Sequence, residues 1–121
     1  MKIIIGHRIR KREFRKGIIS ERDLEHIMRG YKRRIITPIK GEGLPKGSRL
    51  EKIYVTTEYG AQRLVFLTEV ASEDGFFLCY RNKNDRVGEN ISIHNPYFRV
   101  LLKKYLLLLK EDIRDGTFDL Y

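Results

Sequence analysis

The chain has little of what marks cross-linked, metal-binding or membrane-spanning proteins. Its one cysteine, Cys79, excludes an internal disulfide and any metal site built from several cysteines. We interpret Cys79 as a small buried hydrophobe, because it lies in the apolar run at residues 76–80. The apolar run at 105–109 is far shorter than the roughly 20 residues that span a bilayer. The run at 3–5 is too short for a secretory signal, so we expect a cytoplasmic protein with no membrane partner.

Familiar catalytic signatures are also missing from the sequence. There is no cluster of metal-ligating residues and no Ser-His-Asp pattern. The glycine-rich segment 41–48 is not a phosphate-binding loop, because no Gly-Lys-Ser/Thr ending precedes a helix. We therefore predict neither a metal nor a cofactor. With 121 residues, 41% of them hydrophobic, the chain can build one core, and we expect a single domain over residues 1–121.

Acidic residues are scarce only in the first third of the chain. Residues 1–40 contain 13 Lys and Arg and 4 Asp and Glu, a difference of +9, whereas residues 41–121 contain 12 of each kind. A concentrated positive field attracts phosphate backbones, so we expect a polyanionic partner, and RNA in particular. The alternative is a basic surface without a partner. The candidate RNA-binding residues near the start of the chain are Arg8, Arg10, Lys11 and Arg12.

The order of local patterns predicts an α+β fold. Residues 3–5 are expected to form an N-terminal strand, and the basic segment 7–16 is either a helix or a loop. Apolar residues at Leu24, Ile27, Met28, Tyr31 and Ile35 predict a helix over about 21–36. Ser20 resembles the N-cap of that helix, and the pair Thr37-Pro38 ends it.

The second half of the chain predicts a sheet and a final helix. Three strands are expected at 52–57, 63–70 and 76–81, and the Asp74-Gly75 pair between the last two is typical of a hairpin. The strands should therefore form an antiparallel β-meander. The pair Asn95-Pro96 begins a C-terminal helix, and Gly116 ends it.

Three leucines widen the apolar stripe of this C-terminal helix until it covers most of the circumference. They are Leu106, Leu107 and Leu108. A helix that is apolar nearly all round is either buried on two sides or docks a partner. The sequence leaves both interpretations open.

Basic and aromatic side chains collect at the strand ends. Arg63 begins one predicted strand and Arg81 ends the next, and these positions lie close together in an antiparallel hairpin. Arginines hold the oxygens of a phosphate bidentately and stabilise the charge that develops during its attack. RNA supplies its own nucleophile, the 2′-hydroxyl, so such a site needs no metal. Ordinary solvated strand-end charges are the alternative. Further candidates are Lys83 and Asp85, which follow Arg81, and Lys52 and Tyr54 on the neighbouring strand, whose convergence with Arg63 stays open.

Two segments resemble a known protein family. The arginine-led segment 63–67 resembles the central strand of the RelE-like toxins, the RelE/HigB/ParE superfamily of toxin–antitoxin modules. Residues 80–85 followed by 89–92 resemble a Lys-Asn-Asp segment at a strand end in some RelE- and HigB-like members. The order of the predicted elements is similar too. The terminal helix, expected at 97–115, is longer than the final element of the best-known members.

The resemblance implies a ribosome-dependent endoribonuclease that cuts messenger RNA and is restrained by an antitoxin protein. It implies that Arg63 holds the scissile phosphate, that Arg81 or Lys83 stabilises charge or moves protons, and that Asp85 belongs to the same segment. The antitoxin of such modules commonly covers the sheet or the terminal helix, around Leu106–108 here. Several members use a late Tyr or His as a base or stacking group. The side chains available for that role are His94, which also fits a surface residue, and Tyr97; Tyr54 and Tyr80 are candidates for base stacking or for the core.

Two other functions remain open. The first is a non-catalytic module that binds RNA or the ribosome through the basic first third. The second is a ParE-like poison of a protein target such as gyrase, which predicts no dependence on Arg81 or Lys83. A cleavage activity that is lost on substitution of Arg63 distinguishes the enzyme from both.

Overall fold

The computed structural model describes residues 1–121 and contains three α-helices and one six-stranded β-sheet. The elements are β1 (Ile3–Gly6), α1 (His7–Glu13), α2 (Glu21–Arg33), β2 (Ile36–Ile39), β3 (Ser48–Thr57), β4 (Gly60–Glu69), β5 (Gly75–Asn82), α3 (Pro96–Asp115) and β6 (Phe118–Leu120). A short 3-10 turn, Arg15–Gly17, follows α1. The α+β class predicted from the sequence is confirmed.

The sheet has the strand order β2-β3-β4-β5-β1-β6. Strands β3, β4 and β5 form the predicted antiparallel meander, and β1 is parallel to β5. The two edge strands, β2 and β6, were not predicted. Because β1 pairs with Gly75 and Phe76 at the start of β5, α1 lies beside the second half of that strand.

Helix α2 packs on one face of the sheet and is shorter than predicted. Its N-cap is Ser20, whose hydroxyl oxygen accepts a hydrogen bond from the Asp23 N–H at 3.1 Å. Gly30 lets the helix approach β3 and β4, because a Cβ there would lie only 2.8 Å from the side chain of Leu64. The helix ends at Arg33, since Arg34 adopts a left-handed backbone (φ 56°). The prediction that places Ile35 on the buried face is therefore wrong, and Ile35 is 75% exposed.

Helix α3 begins and ends as predicted, within one residue. The Asn95 side chain accepts from the Tyr97 N–H at 3.1 Å, Pro96 occupies the first turn, and Gly116 provides the left-handed C-cap (φ 67°). The residues that α3 buries are Phe98, Leu102, Tyr105, Leu109 and Asp112.

The core fills both faces of the sheet, because neighbouring residues of a strand point to opposite sides. Phe66 of β4 packs against Tyr31 of α2, with ring centroids 4.4 Å apart. The next residue, Leu67, points to the other face, where it lines a groove with Leu109 of α3. Cys79 is fully buried, as predicted, and burial raises the pKa of its thiol. Helix α2 therefore covers one face and α3 the other.

Candidate functional site

Strand register brings a row of polar side chains together on the face that α3 covers in part. Tyr54 of β3 lies opposite Arg63 of β4, which lies opposite Arg81 of β5. Directly opposed residues on neighbouring strands project from the same face of a sheet, so the predicted proximity of positions 63 and 81 is confirmed, although their guanidiniums have different partners. Lys52 is two residues from Tyr54 along β3 and shares this face. The register also settles the open question of Lys52 and Tyr54, which do join Arg63.

Arg63 has no carboxylate partner. Its guanidinium carbon lies 4.1 Å from the ring centroid of Tyr54, a cation–π distance, and the Lys52 ammonium lies 5.5 Å from the same centroid. The Arg63 side chain donates one hydrogen bond within the protein, to the Gln62 carbonyl at 3.3 Å. Tyr54 is 58% exposed. The remaining donors of Arg63 are therefore free to bind an anion beside an aromatic ring.

Arg81 has a different environment, although it faces Arg63 directly. Its Nε donates to Glu13 Oε1 at 3.0 Å and its Nη2 to Glu13 Oε2 at 2.6 Å. Its Nη1 donates to both carboxylate oxygens of Asp85 at 3.3 Å. The Glu13 carboxylate is fully buried, and its hydrogen bonds raise the pKa of Arg81. All three nitrogens of the guanidinium thus donate to carboxylates, so the charge of Arg81 is neutralised locally.

Glu13 is a buried partner of Arg81 that the sequence did not predict. It is the last residue of α1, and it also accepts from the Tyr80 N–H at 3.0 Å and from the Tyr105 hydroxyl at 2.6 Å. Burial, followed by the nearby charge of Glu13, raises the pKa of Tyr105. One carboxylate therefore joins α1, β5 and α3. The signal available in the sequence is that Glu13 is the only acidic residue between 7 and 16.

The segment between β5 and α3, residues 83–95, crosses this face of the sheet; we refer to it as the β5–α3 loop. His94 and Lys52 line one small cleft of about 240 Å³, together with Ile91 and the edge strand at Pro38. His94 is exposed. The loop therefore places the His94 imidazole in the same cleft as Lys52, and the Lys52 ammonium is in turn the neighbour of the Tyr54 ring. We refer to Lys52, Tyr54, Arg63 and His94 as the sheet-face site.

Two other predicted catalytic residues lie in this loop: the Asp85 side chain binds backbone groups of the loop, and the Lys83 side chain points into solvent. Asp85 Oδ1 accepts from the N–H groups of Val87 at 2.8 Å and Gly88 at 3.3 Å, so it shapes the loop. The Lys83 side chain is exposed, while its N–H donates to the Ala61 carbonyl. Neither side chain contacts the sheet-face site directly.

Tyr80 and Tyr97 lie away from this row. Tyr80 points to the α2 face, where its hydroxyl is 3.2 Å from His26 Nδ1, and burial raises its pKa to about 12. Tyr97 is 52% exposed at the start of α3, and the Arg86 guanidinium lies 5.4 Å from its ring centroid. Tyr54 is thus the exposed tyrosine of the sheet-face site.

The four basic residues near the start of the chain that were predicted to bind RNA divide into a paired and an unpaired group. Arg8 donates to Asp112 at 2.9 Å and Asp115 at 2.6 Å, and Arg10 donates to Asp119 at 2.8 Å. These two arginines link α1 to the C-terminal end of the chain through salt bridges. Lys11 and Arg12, by contrast, are exposed and take no part in these salt bridges. Only the second pair therefore contributes free positive charge.

A groove beside α3 presents apolar side chains at the surface. It has a volume of about 700 Å³, its walls include Leu67, Phe76, Leu106 and Ile113, and Lys46 and Lys110 also line it. Leu107 faces solvent with 57% of its surface exposed, and Leu108 is half-buried against the core. Helix α3 is thus a core helix on one side and carries apolar residues at the surface on another.

Comparisons of the chain with protein-family models, with curated proteins and with solved structures found no match. None of the helices combines the length and the apolar character needed to cross a membrane.

Proposed function

We propose that the protein is the toxin of a toxin–antitoxin module and cleaves ribosome-bound messenger RNA at the sheet-face site, without a metal. The observation that carries this proposal is Arg63, an arginine without a carboxylate partner that lies over the exposed ring of Tyr54. A guanidinium beside an aromatic ring matches a phosphate beside a base, because the two groups recur together along a single strand of RNA.

In the proposed reaction, the RNA 2′-hydroxyl attacks the adjacent phosphorus and the bond to the 5′-oxygen of the next nucleotide breaks. Arg63 holds the non-bridging oxygens and stabilises the charge of the transition state. Tyr54 stacks on a flanking base. His94 takes the proton of the 2′-hydroxyl, and Lys52 gives one to the departing 5′-oxygen. The products are a 2′,3′-cyclic phosphate and a free 5′-hydroxyl.

The groove beside α3 supports the antitoxin part of the proposal. Its apolar walls at Leu106 and Ile113 suit the apolar face of a partner segment. Its charged lining, two lysines (Lys46 and Lys110) against one carboxylate (Glu69), suits acidic residues that flank such a face. A protein partner on α3 would cover surface that the chain leaves apolar and exposed at Leu107.

A second candidate is a non-catalytic module that binds RNA or the ribosome. The observation that favours it is the neutralised state of Arg81, because it leaves Arg63 as the single unpaired guanidinium of the facing pair. One free arginine is enough to bind a phosphate, whereas many phosphoryl-transfer sites place several cations around it. The two candidates share the same binding surface and differ in whether the RNA is cut.

The test is induced expression of wild type, Arg63→Ala and Arg33→Ala, with growth and the integrity of translated transcripts followed together. Arg33 is exposed on α2, which covers the other face of the sheet, so its substitution removes the same charge elsewhere. We expect wild type and Arg33→Ala to stop growth and cut transcripts, and Arg63→Ala to do neither. Growth arrest with intact transcripts would instead favour a ParE-like poison of a protein. Normal growth with wild type would contradict the toxin proposal and favour the RNA-binding module.

A further inference from the structure

A chain of hydrogen bonds runs from α1 through Arg81 to the β5–α3 loop. Glu13, at the end of α1, accepts from Nε and Nη2 of Arg81, and Nη1 of Arg81 donates to Asp85. Asp85 in turn accepts from the N–H groups of Val87 and Gly88. Arg81 therefore connects the buried end of α1 to residues 85–88 through side-chain hydrogen bonds.

The burial of these groups makes the link hard to rearrange. The Glu13 side chain is fully buried and the Arg81 side chain is only 24% exposed. If Arg81 turned toward a phosphate, Glu13 would keep only its contacts with Tyr80 and Tyr105 and would remain as a buried carboxylate without a cation. Burying an unpaired charge is strongly unfavourable. Arg81 is therefore poorly placed to exchange its carboxylates for a phosphate.

The loop that Arg81 holds is closely packed, and it carries a residue of the sheet-face site. Val87 and Ile91 are buried, and the Asn95 side-chain amide donates to the carbonyls of Arg86 and Asn90. Gly88 passes so close to β5 that a Cβ there would meet the Asn82 carbonyl. The loop then places His94 in the cleft that it shares with Lys52. The position of His94 thus depends on the path of the loop.

We infer that Arg81 is a positioning residue: together with Glu13 and Asp85 it fixes the β5–α3 loop so that His94 lies beside Lys52, and it does not contact the polyanion. This inference rests on the proposed function, since it assigns Arg63 and Arg81 different roles in the same site.

The first experiment measures amide hydrogen exchange in the free protein, where RNA plays no part. The main variant is Asp85→Asn, because the new amide keeps an oxygen for the Val87 and Gly88 N–H groups and loses the charge that binds Arg81. We expect at least tenfold faster exchange at amides of residues 85–94, with rates in β3 and β4 unchanged. Arg63→Ala is the control and should leave the loop as in wild type. Loop exchange equal to wild type in Asp85→Asn would overturn the inference.

The second experiment measures the affinity for a short fluorescein-labelled single-stranded RNA over a range of salt concentrations. Each lost phosphate contact lowers the slope of log affinity against log salt by about 0.7 for a single strand. We expect that decrease in Arg63→Ala and an unchanged slope in Arg81→Ala. Asp85→Asn should bind more weakly than wild type even though it removes a negative charge.

Two results would overturn the role assigned to Arg81 in the complex. One is a slope that falls in Arg81→Ala as much as in Arg63→Ala. The other is tighter binding by Asp85→Asn, because that is what a direct contact released from its carboxylate predicts. If Arg81→Ala does not fold, Asp85→Asn still decides the matter. If wild type does not bind RNA at any salt concentration, the proposed function fails, and the exchange experiment alone decides whether Arg81 fixes the loop.

Discussion

Arg63 and Arg81 face each other across two neighbouring strands, yet only one of them is free. The guanidinium of Arg63 lies over the Tyr54 ring and meets no carboxylate, whereas that of Arg81 is divided between Glu13 and Asp85. Residue type and strand register are the same for both. The difference comes from α1, which places a buried carboxylate beside β5 and none beside β4. A cation's partners therefore decide whether it can bind a phosphate.

The same difference separates the basic residues near the start of the chain. Arg8 and Arg10 form salt bridges with aspartates at the other end of the chain, while Lys11 and Arg12 have no carboxylate partner. The net charge of +9 counts all four equally. The field that a phosphate meets depends on the unpaired charges. The count of basic residues in the first third of the chain is therefore larger than the number of charges available to bind a polyanion.

The largest effect should follow from removing the carboxylate that distinguishes Arg81. We predict that Glu13→Ala lowers the free energy of unfolding by about 3 kcal/mol, because it leaves Nε and Nη2 of the largely buried Arg81 guanidinium, and the Tyr105 hydroxyl, without their acceptor. Urea denaturation measures the change. The matched control is Glu25→Ala at an exposed position of α2, which should change stability by less than about 0.5 kcal/mol. Equal effects of the two variants would show that Glu13 is not a structural centre.

The next largest effect should come from the ring beneath Arg63. We predict that Tyr54→Ala lowers the affinity for single-stranded RNA by roughly tenfold, since stacking of one base on an aromatic side chain contributes about 1–3 kcal/mol. Tyr54→Phe keeps the ring and should bind within about twofold of wild type. Fluorescence anisotropy with a short labelled RNA measures both. A loss of affinity in Tyr54→Phe as large as in Tyr54→Ala would mean that the hydroxyl, not the ring, makes the contact.

A smaller effect should distinguish paired from unpaired charges near the start. We predict that Arg12→Ala weakens RNA binding by about twofold to threefold, in the range of one exposed charge interaction, and that Arg8→Ala changes it less. The same anisotropy titration at low salt measures this difference. A larger loss in Arg8→Ala, in a variant that is still folded, would contradict the idea that carboxylate pairing removes a basic residue from the binding surface.

The smallest effect should appear in acid. Hydrogen bonds from Arg114 and then Arg8 lower the pKa of Asp115 to about 2. A carboxyl group with a lowered pKa in the folded state stabilises the protein above its ordinary pKa, and this contribution disappears as the pH falls toward 2. Asp115→Asn should therefore lose less stability than wild type between about pH 4 and pH 2. Urea denaturation over that range measures it, and parallel curves for the two proteins would show that the pair contributes nothing.

Local patterns were sufficient for most of the fold. Period-two alternation and the Asp74-Gly75 turn predicted the β3–β5 meander, and Asn95 and Gly116 marked the ends of α3. Strand β2 was missed because Ile35 extends the helical period past the true end at Arg33, and because proline in a short run argues against a strand. Strand β6 has only three residues, too few for a pattern.

Only the part of the site that depends on strand register could be predicted from the sequence. The hairpin geometry placed Arg63 and Arg81 together from sequence alone. Glu13 is 68 residues from Arg81, and Asp112 is 104 residues from Arg8, so no local pattern links these partners. Such contacts depend on where whole helices pack. Whether a given arginine is paired with a carboxylate is therefore decided by the tertiary structure.

The measurement that tests the central claim most directly is the mapping of amide chemical shifts during titration of the labelled protein with a short single-stranded RNA. We predict that the largest changes fall at Lys52, Tyr54, Arg63 and His94, and that Arg8 and Arg10 change little. Changes confined to the exposed basic surface of α2, around Arg29 and Arg33, with the sheet-face site unaffected, would contradict the account.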